Sequence, residues 1–225
     1  MIKNEVGQRI REIGIVPVIR AESSAQARAA SEAVCEGGVP IVEITMTVPG
    51  AIGVIEELAR TLGDQLLVGA GTVLDADTAG RCVDAGARFL VSPGFDASTV
   101  EYARSRGVLM MAGALTPTEV ITAWKQGSDF VKIFPCGSVG GPKYIRALKG
   151  PLPQIPMIPT GGVNLLTAAE FIAAGAEALG IGGELVSADL LRAGNFAAIT
   201  ALTRQFGEMV RTARQARLAG IKSPR

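Results

Sequence analysis

Apolar positions gather in eight short, near-continuous runs, and between them hydrophobic residues return at helical spacing. The runs are Ile15-Val-Pro-Val-Ile-Arg20, Ile41-Val-Glu-Ile-Thr-Met46, Leu66-Leu-Val-Gly-Ala-Gly71, Arg88-Phe-Leu-Val-Ser-Pro93, Val108-Leu-Met-Met-Ala-Gly-Ala-Leu115, Asp129-Phe-Val-Lys-Ile-Phe-Pro135, Met157-Ile-Pro-Thr-Gly-Gly162 and Ala178-Leu-Gly-Ile-Gly-Gly183. Runs of this length, without polar alternation, suit strands buried on both faces, as in a parallel sheet. The spacing predicts helices over residues 2 to 12, from the Ser23-Ser24 cap to Gly37-Gly38, and over 50 to 62, 76 to 85, 97 to 106, 117 to 126 and 167 to 174, then a short helix and a long one over 195 to 218. Ser23-Ser24 caps the second helix, Gly63 stops the third, and Pro117 suits a first helical turn.

With run ends taken at 20, 46, 71, 93, 114, 135, 162 and 183, consecutive ends lie 21 to 27 residues apart. A βα unit of that size repeated eight times predicts a (β/α)₈ barrel with an extra N-terminal helix. An open doubly wound sheet is the alternative, but its first strand is normally followed by a Gly-x-Gly-x-x-Gly turn, and none follows Arg20. The 225 residues read as a single domain whose last residues, 220 to 225, are expected to fray.

Composition narrows the partners. Lys and Arg total 22 against 21 acidic residues, so nothing marks a nucleic-acid or anionic-lipid surface, and a small molecule is the expected ligand. No run reaches membrane-spanning length and no cleavable signal pattern opens the chain, so a cytoplasmic protein is expected. Cys35, Cys82 and Cys136 are odd in number and widely spaced, which fits reduced thiols, with Cys136 either packing or lining a site. Histidine is absent, so carboxylates, lysines and hydroxyls must carry any proton transfer. Trp124 and Lys125 on the fifth barrel helix suit either an assembly surface or, for the tryptophan, simple packing.

Candidate chemistry follows from barrel geometry, which puts active sites at the carboxyl ends of the strands. Arg20, Glu43, Thr72 and Lys132 stand near those ends. Lys132 interrupts an apolar run and shares a face with Phe130 and Phe134, while Glu43 does the same in the second run with Ile41 and Thr45. A buried lysine beside a carboxylate supplies a nucleophile and a proton shuttle, because burial disfavours the ammonium relative to the free amine. Two plainer accounts are a snorkelling lysine and a structural ion pair. Thr160-Gly161-Gly162 and Gly180-Ile-Gly-Gly183 end the last two runs, where barrels often bind phosphate through backbone N–H groups.

Taken together, Val42-Glu-Ile-Thr, Val68-Gly-Ala-Gly-Thr-Val73, Val91-Ser-Pro-Gly94, Val131-Lys-Ile-Phe-Pro135, Pro159-Thr-Gly-Gly162 and Gly180-Ile-Gly-Gly183 make the chain resemble the 2-keto-3-deoxy-6-phosphogluconate (KDPG) and 4-hydroxy-2-oxoglutarate (KHG) aldolase family from about residue 13 to 206. The resemblance implies a class I aldolase, a homotrimer without metal or cofactor, that cleaves a 4-hydroxy-2-keto acid to pyruvate and an aldehyde. It implies imine formation at Lys132, acid/base work at Glu43, substrate contacts from Thr72, Pro93, Phe134 and Thr160, and phosphate contacts from Gly161, Gly162, Gly182 and Gly183. Two positions depart from the family pattern. Thr47 stands where well-known members carry an arginine for the pyruvate carboxylate, which makes Arg20 the candidate, with Thr45 and Thr47 as weaker donors; a rim pair with Glu22 is the other use for Arg20. Glu184 stands where a serine often meets the phosphate, leaving phosphorylated and unphosphorylated substrates both open. A phosphate-binding isomerase or epimerase, or a barrel that binds a metabolite without catalysis, are the rival readings.

Overall fold

A computed structural model describes residues 2–220. Eight parallel strands, β1 (Ile15–Ile19), β2 (Ile41–Thr45), β3 (Leu67–Gly71), β4 (Phe89–Val91), β5 (Leu109–Ala114), β6 (Phe130–Ile133), β7 (Met157–Pro159) and β8 (Leu179–Ile181), pair in sequence order, and β8 returns to β1. The last seam, between β7 and β8, is made by a single bridge from Thr160 to Gly180, so the sheet is a barrel. All of these strand residues are buried, as expected of strands covered by side chains inside and helices outside.

The helices are α1 (Lys3–Ile13), α2 (Ser24–Glu36), α3 (Ala51–Leu62), α4 (Ala76–Asp84), α5 (Ala97–Ser105), α6 (Pro117–Lys125), α7 (Pro142–Lys149), α8 (Ala168–Ala173), α9 (Ala188–Arg192) and α10 (Phe196–Leu218). Their starts are written in the sequence: Ser23, Asp75, Asp96, Thr116, Ser187 and Asn195 each accept a backbone N–H of the first turn. The long α10 closes the ring against α2, where Thr200 donates to the Ala33 carbonyl (3.0 Å) and Thr203 fills the space that a side chain at Gly37 would need. Among the described residues no helix is long and apolar enough to cross a membrane.

Several expectations shift. The first helix runs one residue later than expected, and each strand is shorter than its apolar run. At β7 the stop has a visible cause: Pro159 has no N–H, and Gly161 and Gly162 follow with φ of +87° and +75°. Helix α7 was not expected, and the described part of the chain also contains a short 3₁₀ turn at Cys136–Val139. Trp124 is only partly packed, at 38% exposed. The expected fraying beyond residue 220 lies outside the described residues.

Candidate functional site

The barrel interior brings Glu43 and Lys132 together. Strands β2 and β6 are not neighbours in the sheet, so a contact between their side chains can only cross the enclosed space. Lys132 Nζ lies 3.6 Å from Glu43 Oε1, and both side chains are almost fully buried. That separation is ion-pair distance but too long for a hydrogen bond, and Glu43 Oε1 is buried with no hydrogen-bond partner. A buried carboxylate oxygen without a protein donor costs free energy unless water or a ligand satisfies it, which makes this position a candidate site. Nζ also sits 5.4 Å from the centre of the Phe134 ring, where the aromatic face attracts its positive form.

Neighbouring strands shape the space around this pair. In β5, Gly113 stands in register with Lys132, and a Cβ there would lie 2.2 Å from the Pro93 carbonyl carbon. The missing side chain lets the Ser92-Pro93-Gly94 turn fold over β5, and Ser92 Oγ fixes that turn by donating to the Gly94 carbonyl (2.6 Å) and accepting from the Gly113 N–H (3.3 Å). Thr72, just past β3, has φ of +59°, unfavourable for a β-branched residue. Thr45 is fully buried and its hydroxyl donates to the Ile19 carbonyl (3.1 Å), so its proton is committed to the seam between β1 and β2. Thr47 Oγ1 contacts Thr45 Oγ1 at 2.6 Å and is itself exposed.

Arg20, just past β1, is exposed in a cleft of about 200 Å³ that also takes in Glu22, Thr47, Ala188 and Leu191. The expected alternative, a pair with Glu22, is absent: Glu22 meets Arg192 at 3.4 Å, and among the described residues no ion pair engages Arg20. At β7 and β8 the turn after β6 packs on the glycine pair, with the Gly137 N–H donating to the Gly161 carbonyl (2.9 Å) and the Cys136 N–H to the Thr160 carbonyl (2.9 Å). Cys136 is buried there and its thiol is pushed up to about 12 by burial, so it packs as a neutral group. After β8, Gly183 and Glu184 are both exposed, and the Leu185 and Val186 N–H groups turn back onto the Gly182 carbonyl. A larger groove of about 630 Å³ lies at the other end of the barrel, lined by Arg11, Trp124, Asp129, Lys149 and Glu177. It opens where strands begin, away from the Glu43–Lys132 pair.

A sequence profile described as "KDPG and KHG aldolase" matches residues 6–202. The chain belongs to the KDPG and KHG aldolase family. A 2-dehydro-3-deoxy-phosphogluconate aldolase of Treponema pallidum is 33% identical over 204 residues, covering 90% of this chain and 96% of the relative. A KHG/KDPG aldolase of Escherichia coli K12 is 33% identical over 192 residues, covering 85% of this chain and 89% of the relative. Among solved structures, a KDPG aldolase from Legionella pneumophila with pyruvate captured at low pH as a covalent carbinolamine intermediate superposes with a TM-score of 0.82 at 29% identity, over 88% of this chain and 96% of that one. This aldolase-family barrel therefore carries a buried lysine–carboxylate pair inside a fold shared with a protein captured with pyruvate as a covalent carbinolamine.

Proposed function

We propose that the chain is a class I aldolase in which Lys132 forms an imine with the keto carbon of a 4-hydroxy-2-keto acid, KDPG or 4-hydroxy-2-oxoglutarate, and Glu43 moves the protons. The observation that carries this reading is the 3.6 Å approach of Lys132 Nζ and Glu43 Oε1 inside the barrel. The free amine of Lys132 adds to the carbonyl carbon, and loss of water gives the protonated imine. The iminium accepts the electron pair of the C3–C4 bond as it breaks, while Glu43, through a water, takes the C4 hydroxyl proton. The aldehyde leaves, glyceraldehyde 3-phosphate or glyoxylate according to substrate. Return of the proton to C3 of the enamine and hydrolysis of the imine release pyruvate and regenerate the lysine. The imine is the electron sink, so the steps as written call on no metal ion.

Arg20 is assigned to the substrate carboxylate. It is unpaired among the described residues and shares its cleft with Thr47, and a guanidinium meets a carboxylate through two hydrogen bonds. Thr72, Pro93, Phe134 and Thr160 are read as the walls of the keto-acid pocket, and Gly161, Gly162, Gly182 and Gly183 as the cradle for the distal end, with Glu184 at its rim. The strained backbone of Thr72 supports its place among them. Homotrimeric assembly belongs to the same reading and is checked by light scattering against the 23.2 kDa chain mass. Free thiols at Cys35, Cys82 and Cys136 support the cytoplasmic assignment.

Borohydride reduction in the presence of pyruvate, followed by peptide mass mapping, tests the central step. A stable adduct on Lys132 is expected, with none in Lys132→Ala. Wild-type protein that stays unmodified while turning over substrate excludes the imine route.

A further inference from the structure

Glu43 Oε1 has no hydrogen bond, so beyond its approach to Lys132 its position is set by shape. The shape comes from β3. Gly71 stands in register with Thr45 of β2, and a Cβ built on Gly71 would lie 2.0 Å from Glu43 Oε1 and 2.6 Å from both Cγ and Cδ. No φ in the left-handed region is found at Gly71, which lies in the regular strand, so the backbone itself does not demand glycine there. What the absent side chain provides is a slot into which the Glu43 carboxylate leans. A methyl group at residue 71 would have to stand roughly 3.5 Å from its neighbours, so the carboxylate would move by about 1.5 Å. The separation from Lys132 Nζ is only 3.6 Å, so a displacement of that size is a large fraction of it and alters the reach of the carboxylate towards the amine.

We propose that Gly71 is a positioning residue of the aldolase reaction: its missing side chain fixes the reach of the Glu43 carboxylate towards Lys132. The proposal rests on Glu43 being the proton shuttle. It singles out Gly71 from Gly69, two residues earlier on the same face, where a Cβ would instead meet the Phe89 ring at 2.3 Å and disturb packing rather than the reacting groups.

The test is a mutant cycle of Gly71→Ala with Glu43→Asp, read by steady-state kinetics, borohydride trapping of pyruvate and thermal melting. In the wild-type background Gly71→Ala is expected to lower kcat by about 100-fold, the scale of a misplacement of about 1 Å, while KM changes less than threefold and Lys132 still forms the adduct. Aspartate is one methylene shorter and withdraws from the alanine methyl. In the Glu43→Asp background the same substitution is therefore expected to cost less than threefold. Should Gly71→Ala alone fail to fold, Glu43→Asp is expected to restore its folding, and the comparison is then made between Glu43→Asp and the double variant.

Wild-type kcat in Gly71→Ala overturns the proposal. So does an equal loss in both backgrounds, because equal losses mean that residue 71 acts without regard to residue 43. Glu43→Gln separates the two layers: an active Glu43→Gln removes the shuttle assignment itself, whereas an inactive Glu43→Gln beside an unimpaired Gly71→Ala removes only the positioning role.

Discussion

Replacing Lys132 with methionine keeps the side chain long and apolar but strips the buried Glu43 carboxylate of its counter-charge. At 3.6 Å and an effective dielectric constant near 20, the attraction between the two charges is about 5 kcal/mol. Most of that offsets the cost of taking both groups out of water, so the intact pair adds little net stability. Breaking it is another matter, because the carboxylate is then left alone at 2% exposure with Oε1 already lacking a donor. Loss of one partner of a buried pair costs about 3–5 kcal/mol. In a domain of this size each 1 kcal/mol moves Tm by about 2–4 °C, so Lys132→Met is expected to melt about 6–20 °C lower than wild type. Adding Glu43→Leu removes the stranded charge, and Lys132→Met/Glu43→Leu is expected to melt at or above wild type although it is catalytically dead. Calorimetry at neutral pH on the three proteins is the assay. A single variant as stable as wild type, or a double variant no more stable than the single, would refute the view that this pair is retained for chemistry at a cost in stability.

Arg20→Ala is expected to raise KM by about 10- to 150-fold, the equivalent of a charge-assisted hydrogen bond of about 1.5–3 kcal/mol, with kcat within a few-fold; Arg20→Lys is expected to recover only part of it, and a kcat defect at unchanged KM contradicts the assignment. Asp75 and Asp96 are held below the usual carboxylate value of 3.8, the first mainly by the Thr78 N–H and the second mainly by the Ser98 and Thr99 hydroxyls. Their stabilisation is complete above 3.8 and lost as pH falls through the lower folded values, so the Asp75→Asn/Asp96→Asn variant is expected to melt lower than wild type at pH 7 and to show a flatter Tm–pH curve below pH 3.8, the two curves converging in acid. Arg214 donates to the carbonyls of Arg11, Glu12 and Glu177 at the amino end of the barrel. Arg214→Ala is expected to cost about 1–3 kcal/mol in a denaturant titration with kcat unchanged, and a kcat loss without destabilisation counts against a purely structural role.

The barrel was legible because its strands are buried on both sides and therefore read as unbroken apolar runs at regular spacing. Where that signal failed, the reason is local. Between β6 and β7 the chain carries Pro135, Pro142, Pro151, Pro153 and Pro156, and this punctuation hides the eight residues of α7, whose apolar face is only Ile145 and Leu148. Lys132 and Glu43 announced themselves as charges inside apolar runs, and the contact between them is what two inward-facing positions on opposite strands predict. Arg20 shows the limit of reading by proximity in sequence. Glu22 stands two residues away, yet it meets Arg192, brought round by α9 from 170 residues further on. Thr45 shows the same limit, because nothing in its neighbourhood reveals that the Ile19 carbonyl on the next strand takes its proton. The glycines at 71 and 113 were visible as strand glycines, a sign that something approaches closely, but which atoms approach is decided by strands far away in the chain.

The two ends of the barrel divide the work in a way that follows from hydrogen-bond satisfaction. At the amino end, polar groups are committed: Arg11 pairs with Glu177 at 2.9 Å while lying 4.6 Å above the Phe130 ring, Lys3 meets Asp129 at 2.9 Å, and Lys149 donates to the Ile155 carbonyl at 2.6 Å. At the carboxyl end, Glu43 Oε1 has no donor, Thr72 holds an unfavourable backbone conformation, and Arg20 makes no ion pair among the described residues. A group that must exchange partners with a substrate cannot be locked to a partner of its own, so each such group lowers stability, by about 1–3 kcal/mol for an unsatisfied buried atom or a strained residue. The fold tolerates this because Phe130, one of its largest fully buried side chains, lies on the same strand face two residues before Lys132. The strand that carries the proposed imine-forming lysine is anchored by Phe130, while the unsatisfied carboxylate oxygen faces it from β2 across the barrel, and it is that division which lets Lys132 sit in a hydrophobic barrel beside a group free to take a new partner.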